Sequence, residues 1–191
     1  MISAREILYG VYGAYRLCRF DPKGLVYLND SVEGFWRSFF AALIIAPADL
    51  LVTLLGLRDS EIAASWPRVL LLELLAYVVV AFGYTLIVFY ICRAIGRTER
   101  FILFIVAYNW AGVTQTALVL PTTALAASEL LPADFASGIA LGAALLILAM
   151  TWFIARVCLQ IGGWMAAGLV ALHLVLAISV FALAESRLGV G

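Results

Sequence analysis

Inside the apolar run from Arg100 to Pro121 lie Tyr108, Asn109, Gly112, Gln115 and Thr116, and at helical spacing they share one stripe. Asp49 and Glu73 sit in two other apolar runs, and His173, the one histidine of the chain, sits in a further run. A carboxylate removed from water seeks a proton or a cation, so Asp49 and Glu73 with Gln115 could form a proton or cation site. The amides, hydroxyls and imidazole could instead tie helices together, at typically about 0.6 kcal/mol per bond. Both uses stay open. Both require these groups to face other helices or a wet cavity, because lipid offers them no partner.

Other chemistries lack their residues. One histidine supplies no H-E-x-x-H pair, and no cluster has metal-ligand spacing, so neither a metal nor another cofactor is expected. There is no G-x-S-x-G elbow, no G-x-x-x-x-G-K-[ST] loop and no G-x-G-x-x-G turn, and an enzyme is not expected. Cys18, Cys92 and Cys158 are too scattered for a disulfide framework.

The elements that must position the polar groups are membrane spans. The chain has 191 residues, 65% hydrophobic and 13% charged, against about 25% charged for a soluble domain. Its mean hydropathy is +1.09. Twelve basic residues balance 12 acidic ones, so nothing points to nucleic acid. About 20 apolar residues cross a bilayer core, and five segments qualify. They run over about 35–56, 67–92, 101–120, 138–159 and 163–184, following a 1–33 N-terminal segment, with the membrane-embedded part as a whole covering 34–187. Asp30 and Glu33, Asp59-Ser60-Glu61 with Pro67, Thr98-Glu99 and Pro132 mark the helix starts. Ile161-Gly162-Gly163 predicts a tight hairpin between the last two spans. Pro47 is expected to kink the first span near Asp49, whose stripe is Ser38, Ala42, Ala46, Asp49 and Thr53.

Basic residues set the orientation. With the N-terminus inside, Arg5, Arg16, Arg19, Lys23, Arg37, Arg93, Arg97, Arg100 and Arg156 fall on the cytoplasmic side, against Arg58, Arg68 and Arg187 outside. The expected location is therefore a bacterial inner membrane, N-terminus cytoplasmic and C-terminus periplasmic. The first residues have no uninterrupted apolar stretch before a cleavage site, so no cleavable signal is expected. Counting depth at about 1.5 Å per residue puts Asp49, Glu73 and Gln115 in the outer half, and Asn109 and His173 near the middle. Arg37 and Arg156 come near the inner surface, where snorkelling to headgroups is the default. Gln115 and Thr116 should thus face Asp49 and Glu73.

Before the first span, Arg5, Tyr9, Tyr12, Arg16 and Arg19 recur at alternating four- and three-residue steps on one helix face, with Ala4, Leu8, Val11, Tyr15 and Cys18 on another. This reads as an amphipathic helix in the membrane interface, one that could also pack on the end of the bundle. Asp21-Pro22-Lys23-Gly24 makes a turn. Gly138-x-x-x-Gly142 and Gly163-x-x-x-Ala167 permit close helix approach, within the chain or between copies. Trp36, Trp66 and Trp164 lie near span ends as an aromatic belt would place them.

The stretch Phe35-Trp36-Arg37-Ser38-Phe39-Phe40 through Ala46-Pro47, together with Tyr108-Asn109-Trp110 and the five-span plan, resembles the Yip family, the Ypt/Rab-interacting membrane proteins and their bacterial relatives. The resemblance implies a membrane-organising role through the lipid bilayer and a membrane protein partner or a second copy. It carries over no partner-binding residues. The competing expectation is a small transporter or an ion or proton pathway through the polar groups of the first three spans.

Overall fold

A computed structural model describes residues 2–56, 65–128 and 130–187, and every regular element in them is helical. Arg58, Asp59, Ser60 and Glu61, given loop positions above, lie outside these residues, as does the side chain of Thr53. The helices are α1 (Ala4–Cys18), α2 (Val32–Ser38), α3 (Phe40–Gly56), α4 (Trp66–Ala94), α5 (Phe101–Ala127), α6 (Ala133–Leu159) and α7 (Gly163–Ser186). Short 3-10 turns at Pro22–Tyr27 and Thr98–Arg100 precede α2 and α5. Five stretches are long and apolar enough to cross a membrane: Val32–Val52, Trp66–Ala94, Thr98–Ala126, Asp134–Leu159 and Gly163–Ser186. The chain is an all-α integral membrane protein with a preceding N-terminal helix.

Several boundaries differ from the hydropathy reading. The first span is two helices, α2 and α3, broken at Phe39, and α3 then continues through Pro47. The third does not stop at Leu120, since α5 runs on through Pro121 to Ala127. A proline removes one backbone donor, and one turn can absorb that loss within an apolar helix. Here the Thr122 hydroxyl donates to Val119 O at 2.7 Å in the same turn. The fourth span begins at Ala133, directly after Pro132, instead of at Gly138, because a proline suits the position just before a helix.

Local chemistry explains the caps. Ser3 Oγ accepts from the Glu6 amide at 3.2 Å, and Ser31 Oγ from Gly34 at 3.0 Å, starting α1 and α2. At the end of α1, Phe20 takes φ 60°, while the Asp21 amide donates to Arg16 O and the Phe20 amide to Leu17 O. Gly96, at φ 67°, closes α4 the same way, with Arg97 N bonded to Cys92 O. This left-handed cap normally takes glycine, and a phenylalanine there carries backbone strain of the order of 1 kcal/mol. Its ring packs edge-on against Phe153 of α6, centroids 5.4 Å apart.

α5 is the hub, packing on α1, α2, α3 and α6, while α7 pairs with α4 and α6. The end of the bundle carrying α1 is the cap end, and its opposite is the far end. The main core lies towards the cap end, where Leu17, Phe104, Ile105, Ile154, Cys158 and Leu159 have no exposed surface. α1 belongs to that core through Gly10, Gly13, Ala14, Leu17 and Cys18. A Cβ on Gly10 would lie 2.6 Å from the Trp110 ring, and one on Gly24 only 2.3 Å from Gly13 O, so absent side chains permit the docking. Of the sequence's apolar face only Cys18 is fully buried, and Ala4, Leu8 and Tyr15 stay exposed. The helix both packs on the bundle and keeps an amphipathic outer face. Toward the far end the pattern reverses: Gly138 and Gly142 are exposed and meet nothing within 4 Å, so this pair packs no helix of its own chain.

Candidate functional site

The third-span stripe is shared out among three neighbours. Tyr108 Oη lies 3.1 Å from the His173 ring nitrogens on α7, a hydrogen bond whose direction follows the histidine tautomer. Tyr84 of α4 packs edge-on against the same imidazole at 4.8 Å, and its hydroxyl donates to Leu169 O at 3.3 Å. Asn109 Nδ2 donates to the fully buried Ser38 Oγ at 2.8 Å, and that hydroxyl donates to Phe35 O at 2.7 Å, at the break between α2 and α3. Gln115 Nε2 donates to Thr151 Oγ1 of α6 at 3.1 Å. Each bond spends a polar group of α5 on a different helix. Among the described residues no buried side-chain nitrogen or oxygen lacks a partner.

Asn109 and His173 do come to one level, through Tyr108. No hydrogen bond among the described residues joins Gln115 or Thr116 to Asp49 or Glu73, and the Gln115 amide is instead spent on Thr151 of α6. Thr116 makes no side-chain hydrogen bond among the described residues. Asp49 and Glu73 are both half-buried, and neither has an ion pair or side-chain hydrogen bond among the described residues. The small stripe on the first span is also redistributed: Ala41 and Ile45 face the bundle, whereas Ala46 is exposed.

The cap holds most of the charge chemistry. Glu6 accepts from Arg37 Nη1 at 2.7 Å and from Asn29 Nδ2 at 3.0 Å, and Arg37 also pairs with Glu33. Arg37 therefore clamps α1 onto α2 instead of snorkelling freely, and a residue of α1 that the sequence reading passed over, Glu6, is its partner. The S-x-x-E order of Ser3 and Glu6 was the available signal, although Glu6 reaches forward to Arg37. Arg16 donates from Nε, at 2.8 Å, and from Nη2 to the one oxygen Oδ2 of Asp21, whose Oδ1 accepts from the Lys23 amide. That guanidinium, then the Lys23 amide, hold the Asp21 carboxyl below its ordinary range. Burial pushes the Cys18 thiol up to about 11.

On the outer side of α1, Arg5 lies over the Tyr9 ring and Arg19 over Tyr15, at 5.2 and 5.7 Å from the centroids. Such arrangements contribute about 0.5–1 kcal/mol at exposed sites. Leu8, Tyr12, Tyr15 and Phe20 are exposed beside them. Between α1, the first 3-10 turn, α2 and α5 lies a cavity of about 290 Å³, open to one side.

No protein-family model, curated protein or solved structure matches the chain, so the reading of these sites rests on their geometry.

Proposed function

We propose that the chain is a non-enzymatic module of the Yip type, set in a bacterial inner membrane with its cap in the cytoplasm and its C-terminus in the periplasm. It organises the membrane through lipid or protein partners, a second copy included, that meet the outer face of α1. One observation carries this reading: α1 is anchored by its glycine face, which leaves Leu8, Tyr12, Tyr15 and Phe20 exposed between Arg5 and Arg19. The excess of basic residues at that end supports the orientation. The spans act as scaffold, since Tyr108, Asn109 and Gln115 of α5 are bonded to neighbouring helices and fully buried Phe104 and Ile105 fill the space towards the cap.

One observation favours conduction instead, namely that Asp49 and Glu73 are partly exposed and have no partner among the described residues. Proteoliposomes loaded with a proton- or cation-sensitive dye separate the two readings. The module reading expects no protein-dependent flux. A flux that vanishes in Asp49→Asn or Glu73→Gln overturns it in favour of a transporter.

A further inference from the structure

We infer that the cavity between α1, the 3-10 turn, α2 and α5 is a binding site for a phosphate-bearing group. The argument is an inventory of donors and acceptors around the cavity, which is lined among others by Arg5, Glu6, Tyr9, Tyr27, Asn29 and Trp110. The acceptors are already spent. Both Glu6 oxygens are taken, one by Asn29 and one by Arg37, and Asn29 Oδ1 accepts from the Ser31 amide at 3.2 Å. Tyr9 Oη accepts from Arg5, and Tyr27 Oη from Arg16. Each phenol has thereby satisfied an oxygen lone pair and keeps its proton to give.

The donors remain. Trp110 is 2% exposed, and its indole N–H has no acceptor among the described residues. Its five-membered ring lies against Gly10, both residues line the cavity, and among the described residues no enclosed side-chain nitrogen is left unpaired, so we assign this N–H to the cavity. Arg5 adds a guanidinium with no carboxylate partner among the described residues. Arg16 and Arg37, by contrast, are committed to Asp21 and to Glu6 with Glu33. A cavity left with two phenolic protons, one indole proton and one guanidinium bonded to the Tyr9 phenol but to no carboxylate is complementary to a compact anion rich in acceptors. At about 290 Å³ it is at the lower end of ligand-site volumes, suiting a headgroup and not a nucleotide cofactor. Val106 and Trp110 put its floor on a membrane-spanning helix, where a lipid headgroup and a soluble phosphate ester could both arrive.

This deepens the reading of the cap as the working surface by naming the chemistry it recognises. The experiment is native mass spectrometry of the full chain in detergent, titrated with phosphatidylglycerol, with diacylglycerol lacking the phosphate, and with soluble glycerol phosphate. Phosphatidylglycerol is expected to bind at least tenfold more tightly than diacylglycerol. Arg5→Gln, Trp110→Phe and the double variant Tyr9→Phe/Tyr27→Phe should each weaken it three- to tenfold, with diacylglycerol unchanged. Tyr9 is exposed and Tyr27 half-buried, and the double variant keeps both rings, so it reports binding even if Trp110→Phe loosens the fold. Competition by glycerol phosphate identifies a soluble ester as the ligand, and its failure to compete identifies a headgroup. Equal binding of the two lipids, or affinities unmoved in variants with native unfolding midpoints, overturns the site. Either result leaves the flux measurement untouched, so this inference and the reading it rests on fail separately.

Discussion

α6 contains two environments. Ile154, Ala155, Cys158 and Leu159, near its cap end, have no exposed surface, whereas Phe135, Leu141 and Leu145, toward its far end, are 69%, 62% and 58% exposed. Composition does not separate the halves, since both are apolar. What separates them is what surrounds them. The cap end is packed by protein, with α1 and the 3-10 turn added as an extra layer, and the far end is a set of apolar surfaces suited to lipid. In such a molecule the backbone contacts near α1 should set stability, while polar and small residues toward the far end should be replaceable at little cost.

The largest expected effect tests that contrast with glycines. Gly24→Ala should destabilise by about 1–3 kcal/mol, because the new Cβ meets Gly13 O and the Leu17 side chain, and backbone cannot yield cheaply. Gly142→Ala should change stability by no more than about 0.5 kcal/mol, since nothing lies within 4 Å. Unfolding midpoints in one detergent check both, and equal losses would abolish the distinction between the two ends.

Charges come next. Glu6→Gln should cost about 1–2 kcal/mol, because it weakens a partly buried pair in which Arg37 and Glu6 are 28% and 16% exposed. Asp49→Asn, which removes a carboxylate with no partner among the described residues, should be neutral to within about 0.5 kcal/mol or slightly stabilising. A loss at Asp49 as large as that at Glu6 would mean that the far end has a charge network of its own. Smallest in energy is the behaviour of Cys18. Burial moves its thiol from 9.0 to about 11, so its thiolate population at pH 8 falls about 100-fold, and alkylation should be slower by at least that factor than for a free thiol. Gly24→Ala should restore much of that reactivity, and rapid alkylation of the native protein would show that the cap opens readily.

The spans were legible because twenty apolar residues in a row have one explanation, and the α6–α7 hairpin because Gly162-Gly163 leaves room for nothing else. Their ends were less so: Pro121 stops a helix in water more readily than within this bundle. The docking face of α1 was hidden because Gly10, Gly13 and Ala14 carry almost no hydropathy, although their small size was the signal. Spacing places Tyr108, Asn109 and Gln115 on one stripe of α5, yet spacing along one helix cannot say that Tyr108 meets α7, Asn109 meets α2 and Gln115 meets α6. Those assignments depend on how α1 to α7 are arranged around α5. No periodicity within a single segment encodes that arrangement.

The seating of Gly10 on Trp110 and of Phe20 on Phe153 also dictates an order of assembly. α1 leaves the ribosome before α5 and α6, yet the surfaces it fills belong to them. At about 5–20 residues per second, roughly ten seconds pass before α6 has been synthesised. During that interval the 3-10 turn at Pro22–Tyr27, and then α5, are all of its own chain that α1 can pack on, and the α6 surface is still missing. The nascent helix must wait on the membrane surface or in a chaperone's keeping, and α1, made before α5 and α6, finds its place only after them.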